Sequence, residues 1–151
     1  MVLFTGEYRP SLDEKGRIAL PTKIRKKRTS EGVESELREW VFTYGYDHCV
    51  MAMPMESWTT FVEEKISSLP KSQKENRQKV RLLLSGAYEC ELDQQGRFIL
   101  PNNLKEYAGL QRSIVIIGVG DYLELWDEEV YAREVPKDDD TMNKFASEFW
   151  N

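Results

Sequence analysis

The chain has 151 residues, 40% hydrophobic and 31% charged, and a formal net charge of −5. It is long enough for a core of its own, and no window approaches the roughly 18 consecutive apolar residues of a membrane span. Two cysteines without a CxxC pairing, Cys49 and Cys90, and one histidine, His48, make no metal-ligand set and read as reduced packing residues.

The opening stretch MVLFTGEYRP has no charged leader, apolar core or cleavage pattern, so a cytoplasmic chain is expected. Residues 7–12 and 17–20 have strand composition, and D-x-x-G lies between them. Asp13 can accept backbone N–H bonds two residues on, while Gly16 supplies the positive φ of a type I turn with a G1 bulge. The two segments are expected to form a hairpin. Pro21 then closes the strand and suits the first turn of a short helix.

A charged stretch, KIRKKRTSEGVESELREW, fills 23–40. Val41–Tyr46 and Cys49–Met53 read as a second hairpin, split by Gly and Asp. From Pro54 to Leu69, the spacing of Trp58, Phe61, Val62, Ile66 and Leu69 predicts a helix with one buried face, ended by Pro70. Ser72–Ser85 predicts a second helix, basic at first, with Val80, Leu83 and Leu84 packing near its end.

Residues 86–105, GAYECELDQQGRFILPNNLK, then repeat 6–25, GEYRPSLDEKGRIALPTKIR, without gaps. Eight of the 20 pairs are identical, including Asp13/Asp93, Gly16/Gly96, Arg17/Arg97 and Pro21/Pro101. Leu104, Tyr107 and Ala108 give the helix after Pro101 an apolar face, and Gly109 suits its C-terminal cap. Ile114–Val119 and Tyr122–Trp126 repeat the second hairpin, so VFTYGYDHCVMAMPMESW lies over IVIIGVGDYLELWDEEVY. Each copy is too small for a separate core, so the two are expected to interlock about a pseudo-twofold axis. In the tail, Thr141 is the expected N-cap of a helix whose stripe of Met142, Phe145, Ala146 and Phe149 favours docking within the chain over a subunit contact.

The doubled D-x-x-G-R-[IF]-x-L-P pattern, with G-x-G-D-Y-L-E-L-W-D in the second copy, resembles the MraZ family of the SpoVT/AbrB class, over roughly residues 1–132. The resemblance implies an α+β, β-rich swapped-hairpin fold with two tandem half-domains in pseudo-twofold pairing. The corresponding division is 5–54 and 85–128 for the two repeats, 55–84 for a helical connection and 129–151 for a C-terminal helical tail. It further implies a nucleoid-associated regulator, a repressor in most cases, that binds tandem promoter repeats upstream of the division and cell-wall gene cluster as a closed ring. The family's DNA-contacting arginine maps onto Arg17, and the charged stretch at 23–40 departs from its usual pattern.

Charge separates the two copies. Residues 9–28 carry eight basic side chains against Asp13 and Glu14, a net of +6, whereas the matching window 89–108 has a net of −2. A surface for double-stranded DNA needs Lys and Arg to displace counterions from phosphates, and a β-ribbon is narrow enough for the major groove. Lys15, Arg17, Lys23 and Arg25 are therefore assigned to DNA, with Arg28 and Arg9 as weaker candidates. Asp13, Gly16, Asp93, Gly96 and Arg97 are assigned to the turns, and whether Arg17 reads a base or holds its own turn stays open.

Two other functions compete with this one. An enzyme would use Asp13 and Asp93 as a carboxylate dyad, but a turn role accounts for both. The sequence offers no Walker loop, HExxH or GxSxG, so no catalysis, cofactor or small-molecule substrate is expected. An oligomeric interaction module or antitoxin-like protein would suit the acidic 124–151 segment and its apolar stripe.

Overall fold

The computed structural model describes residues 3–28, 32 and 34–150. Its main sheet has six strands, here numbered in chain order with the smaller ones: β1 (Glu7–Tyr8), β2 (Ile18–Ala19), β3 (Lys26–Arg28), β4 (Glu34–Glu36), β5 (Glu39–Tyr44), β6 (Val50–Pro54), β7 (Tyr88–Glu91), β8 (Arg97–Phe98), β9 (Ile114–Gly118) and β10 (Leu123–Asp127). The order across the sheet is β1-β9-β10-β6-β5-β7, and β2 pairs with β8 in a second, two-stranded ladder. The architecture is the α+β, β-rich one expected.

Sheet order shows how the copies interlock. The opening strand of the first copy, β1, pairs with β9 of the second, while β7, the opening strand of the second, pairs with β5 of the first. The central pairs β10–β6 and β2–β8 also cross between copies. Reading the order from either end exchanges β1 with β7, β9 with β5 and β10 with β6, the signature of a pseudo-twofold axis. The single hairpin expected over 7–20 is therefore divided. Its turn forms, closed by a Leu12–Ile18 bridge, but the strand before it is given to the other copy. The predicted second hairpins, β5–β6 and β9–β10, both form as antiparallel pairs.

The exchange buries one shared core. Trp40, Phe42, Val50 and Ala52 from the first copy meet Phe98, Leu100, Ile116, Leu123 and Leu125 from the second in a single cluster. Phe42 and Phe98 stack with ring centroids 4.5 Å apart. Neither copy could bury these side chains alone, so swapping and core formation are one event.

Among the described residues six α-helices dress the sheets: α1 (Thr22–Arg25), α2 (Met55–Phe61), α3 (Lys74–Gly86), α4 (Asn102–Ala108), α5 (Glu128–Glu134) and α6 (Asp139–Phe149). Pro21, Pro54 and Pro101 sit at the N-caps of α1, α2 and α4, one residue before the first helical turn, where a missing N–H is harmless. α2 buries Trp58 and widens into a π-helical turn at Val62–Ile66, while Gly109 caps α4 with φ of +61°. Three sequence expectations about the helices change. Leu84 stays partly exposed beside a packed Leu83, and α6 is capped by Asp138, whose carboxylate accepts from the N–H and hydroxyl of Thr141. The stripe on α6, expected to dock within the chain, docks on none of the described residues: Met142, Phe145 and Phe149 are all exposed. No helix among the described residues is long and apolar enough to cross a membrane.

Candidate nucleic-acid interface

The two D-x-x-G turns lie side by side because β2 pairs with β8, placing Ala19 opposite Arg97. Each is built as the residue types dictate. Gly16 and Gly96 both have φ of +76°, their N–H groups donating to the carbonyls of Asp13 and Asp93 at 3.0 and 2.9 Å. Asp13 Oδ1 accepts from the N–H groups of Lys15 and Arg17, and Asp93 Oδ1 from those of Gln95 and Arg97. These backbone donors, that of Arg17 or Arg97 foremost, hold both carboxyls below the usual carboxylate range.

The other carboxylate oxygens join the turns. Arg17 Nε donates to Asp13 Oδ2 at 2.5 Å and Arg97 Nε to Asp93 Oδ2 at 3.1 Å. Across the axis, Arg97 Nη1 reaches Asp13 at 3.3 Å and Arg17 Nη1 approaches Asp93 at 3.9 Å. Two arginines and two aspartates thus form a neutral, cross-braced quartet, each arginine side chain about a quarter to a third exposed. Arg17 holds its own turn and touches its neighbour's, with Nη2 outside both contacts. The quartet is common to both copies, so it cannot account for their charge difference.

That difference lies around it. Lys15, at the tip of the first turn, and Lys23, on α1, are exposed, and neither is held in an ion pair among the described residues. At the equivalent positions the second copy has Gln95 and Asn103.

Of the remaining candidates, Arg25 and Arg9 are engaged inside the chain. Arg25 is 13% exposed, donating from Nε to the Leu20 carbonyl at 2.9 Å and from Nη2 to Thr22, with Glu36 3.4 Å from Nη1. It lies flat over Gly96, where a Cβ would overlap its Nε and Cδ and stand 2.7 Å from its Cζ. Gly16, by contrast, has open space on that side. Arg9, just after β1, pairs with Glu7 at 3.2 Å and Glu128 at 3.4 Å. Arg28 ends β3 with its backbone opposite Glu34, and its side chain lies outside the described residues.

Sequence reasoning missed that the 23–40 stretch folds on itself. In the β3–β4 ribbon Lys26 stands opposite Glu36 and Arg28 opposite Glu34, and Lys27 Nζ sits 5.2 Å from the Phe4 ring centre. The spacing K-K-R followed by E-S-E was the available signal, since opposite charges across an antiparallel pair are mutually favourable. It also missed the strap at the other end of β1. There Lys137 Nζ binds Glu7 at 2.8 Å, and this bond above all holds the Glu7 carboxyl at about 2.

A strand-exchanged pair of half-domains around one shared core is an architecture of the swapped-hairpin class. The MraZ family model, described as "MraZ protein, putative antitoxin-like", matches residues 3–82 and again 83–149. A protein of Natranaerobius thermophilus is 42% identical over 146 residues, 97% of this chain and 96% of its own length. One of Halothermothrix orenii is 40% identical over 146 residues, 96% and 95% of the two chains, and one of Syntrophomonas wolfei 45% over 127 residues, 84% and 82%. All three carry the name transcriptional regulator MraZ. The chain belongs to the MraZ family, a family of transcription regulators and not of enzymes.

Proposed function

We propose that the chain is a sequence-specific regulator that grips double-stranded DNA through its first-copy turn, binding tandem promoter repeats as a closed homo-oligomeric ring. One observation carries this reading: at two equivalent positions of the paired copies, exposed Lys15 and Lys23 stand where the other copy has Gln95 and Asn103, with exposed Glu14 next to Lys15 in place of Gln94. Only cations free of internal partners displace counterions from phosphate at full effect. Lys15 and Lys23 are thus the backbone contacts. Arg17 offers its free Nη2 edge toward a base, preoriented by Asp13. Arg25 positions the ribbon rather than touching DNA, while Arg9 and Arg28 flank the footprint.

In this reading residues 5–54 present the ribbon, 85–128 complete the shared core, 55–84 connect them and 129–151 form a tail. The setting is the cytoplasm and nucleoid, and the regulated genes are the division and cell-wall cluster, with repression as the outcome. A single ribbon with so few free cations binds weakly, and several on one ring gain affinity through effective concentration on spaced repeats. The exposed α6 stripe also suits a protein-binding module, and one experiment separates the two. A gel-shift titration against the DNA upstream of its own gene, at low salt, is expected to retard multi-repeat fragments. No retardation there overturns the DNA reading.

A further inference from the structure

The least explained surface is α6. Met142, Phe145 and Phe149 fall on one face at three- and four-residue spacing, 55%, 49% and 76% exposed, and Trp150 follows at 85%. Asp139 lies on the same face one turn earlier. From 138 to 150 the net charge is −3. A stripe of this kind left in water is costly and marks a contact surface.

The complementary surface is the outward face of α3. Lys74, Arg77, Arg81 and Leu84 recur at helical spacing along it, and Leu84 is 39% exposed. Residues 71–86 carry a net charge of +4. Neither Lys74 nor Arg81 is in an ion pair among the described residues, whereas Lys79 is bound to Glu75. The two faces also match in length. Asp139 precedes Phe149 by ten residues, as Lys74 precedes Leu84, about 15 Å of helix in each case.

We infer that α6 of one copy docks in parallel along α3 of a second copy, its apolar stripe over Leu84 and its acidic start over Lys74, with Arg81 further along the same face. The occupant is a second copy of this chain. Pairing α6 with α6 in parallel would set Asp138–Asp140 against themselves, and antiparallel pairing would leave the basic face of α3 unused. Because the two surfaces differ, the contact is head-to-tail, the kind that propagates around a ring until it closes. This inference rests on the self-association proposed above and names its surface.

The test uses the full chain in sedimentation velocity and disulfide trapping. Phe145→Glu with Phe149→Glu, and separately Lys74→Glu with Arg81→Glu, are expected to shift the assembled species to monomer. Asp139→Lys is expected to restore assembly partly in the second variant. In a Cys90→Ser background, Leu84→Cys and Phe149→Cys chains are expected to crosslink when mixed and not alone. Full assembly despite the phenylalanine changes overturns the α6–α3 contact while leaving self-association intact. Crosslinking of Phe149→Cys with itself, or within a single chain carrying both changes, overturns it equally. A wild-type chain that is monomeric at every concentration overturns self-association and this contact together.

Discussion

Gly16 and Gly96 share one backbone conformation and differ in what lies above them, so substituting each by alanine separates strain from packing. A residue with a Cβ in the left-handed region costs about 1–2 kcal/mol, offset by about 0.4–1 kcal/mol of reduced freedom in the unfolded chain. Gly16→Ala, with open space around it, is therefore expected to cost about 1 kcal/mol. Gly96→Ala meets the same strain and also drives its methyl into the Nε and Cδ of Arg25, 2.7 Å from Cζ. The guanidinium must leave the Leu20 carbonyl, a charge-assisted bond of about 1.5–3 kcal/mol, bringing the total to about 3 kcal/mol. For a chain of this size each kcal/mol moves Tm by about 2–4 °C. Calorimetry at one fixed protein concentration should then show decreases of about 3 °C and about 9 °C respectively. In an Arg25→Ala background the two decreases should converge, since the coupling is removed. Equal decreases in the wild-type background would refute the placement of Arg25 over Gly96.

Other expectations follow from the quartet, the strap and the lysines. Arg17→Ala and Arg97→Ala each break one arm of the brace and should lower stability by a similar amount, about 1 kcal/mol, in urea unfolding. Only Arg17→Ala should also weaken specific DNA binding, by about 1–3 kcal/mol, and equal weakening by both would contradict the division between copies. Glu7 is depressed from its ordinary 4.5 to about 2, so its contribution is whole above about 4.5 and disappears as pH falls toward 2. Asp13 and Asp93, also lowered, add acid sensitivity in the same direction. Lys137→Gln should therefore lower stability at pH 7 and leave the stability near pH 2 close to wild type, and an equal drop at both pH values would refute the strap. Removing Lys15 and Lys23 should flatten the salt dependence of DNA binding by about 0.9 in the log–log slope for each phosphate no longer neutralised.

Much of this molecule was legible because its turns are local. Asp13 and Gly16 act within five residues, and each side chain's chemistry names its role. The doubled motif made the pseudo-twofold pairing readable as well. Strand exchange was harder, because β1 has two residues and nothing in Glu7–Tyr8 says whether its partner lies in its own copy or at Ile116–Ile117 of the other. Arg25 was read with the basic run around it, while its determining neighbour, Gly96, lies in the other copy. Thr141 was the expected cap of α6, and Asp138 takes that place because the helix begins at Asp139 and its carboxylate accepts from the N–H of Thr141, three residues on. Leu84 illustrates the limit of periodicity: adjacent to Leu83 on the helix, it is rotated about 100° away from the core.

The central claim is that DNA is held by the first copy's turn and not by its twin. The most direct measurement is fluorescence anisotropy of a labelled single promoter repeat across a salt series, comparing Lys15→Gln/Lys23→Gln with Lys105→Gln, which removes the one lysine of the matching second-copy window. The first variant is predicted to bind at least tenfold more weakly, with a salt slope lower by about 1.8, while the second stays within twofold of wild type. Equal weakening by both, or an unchanged slope in the first, would contradict it.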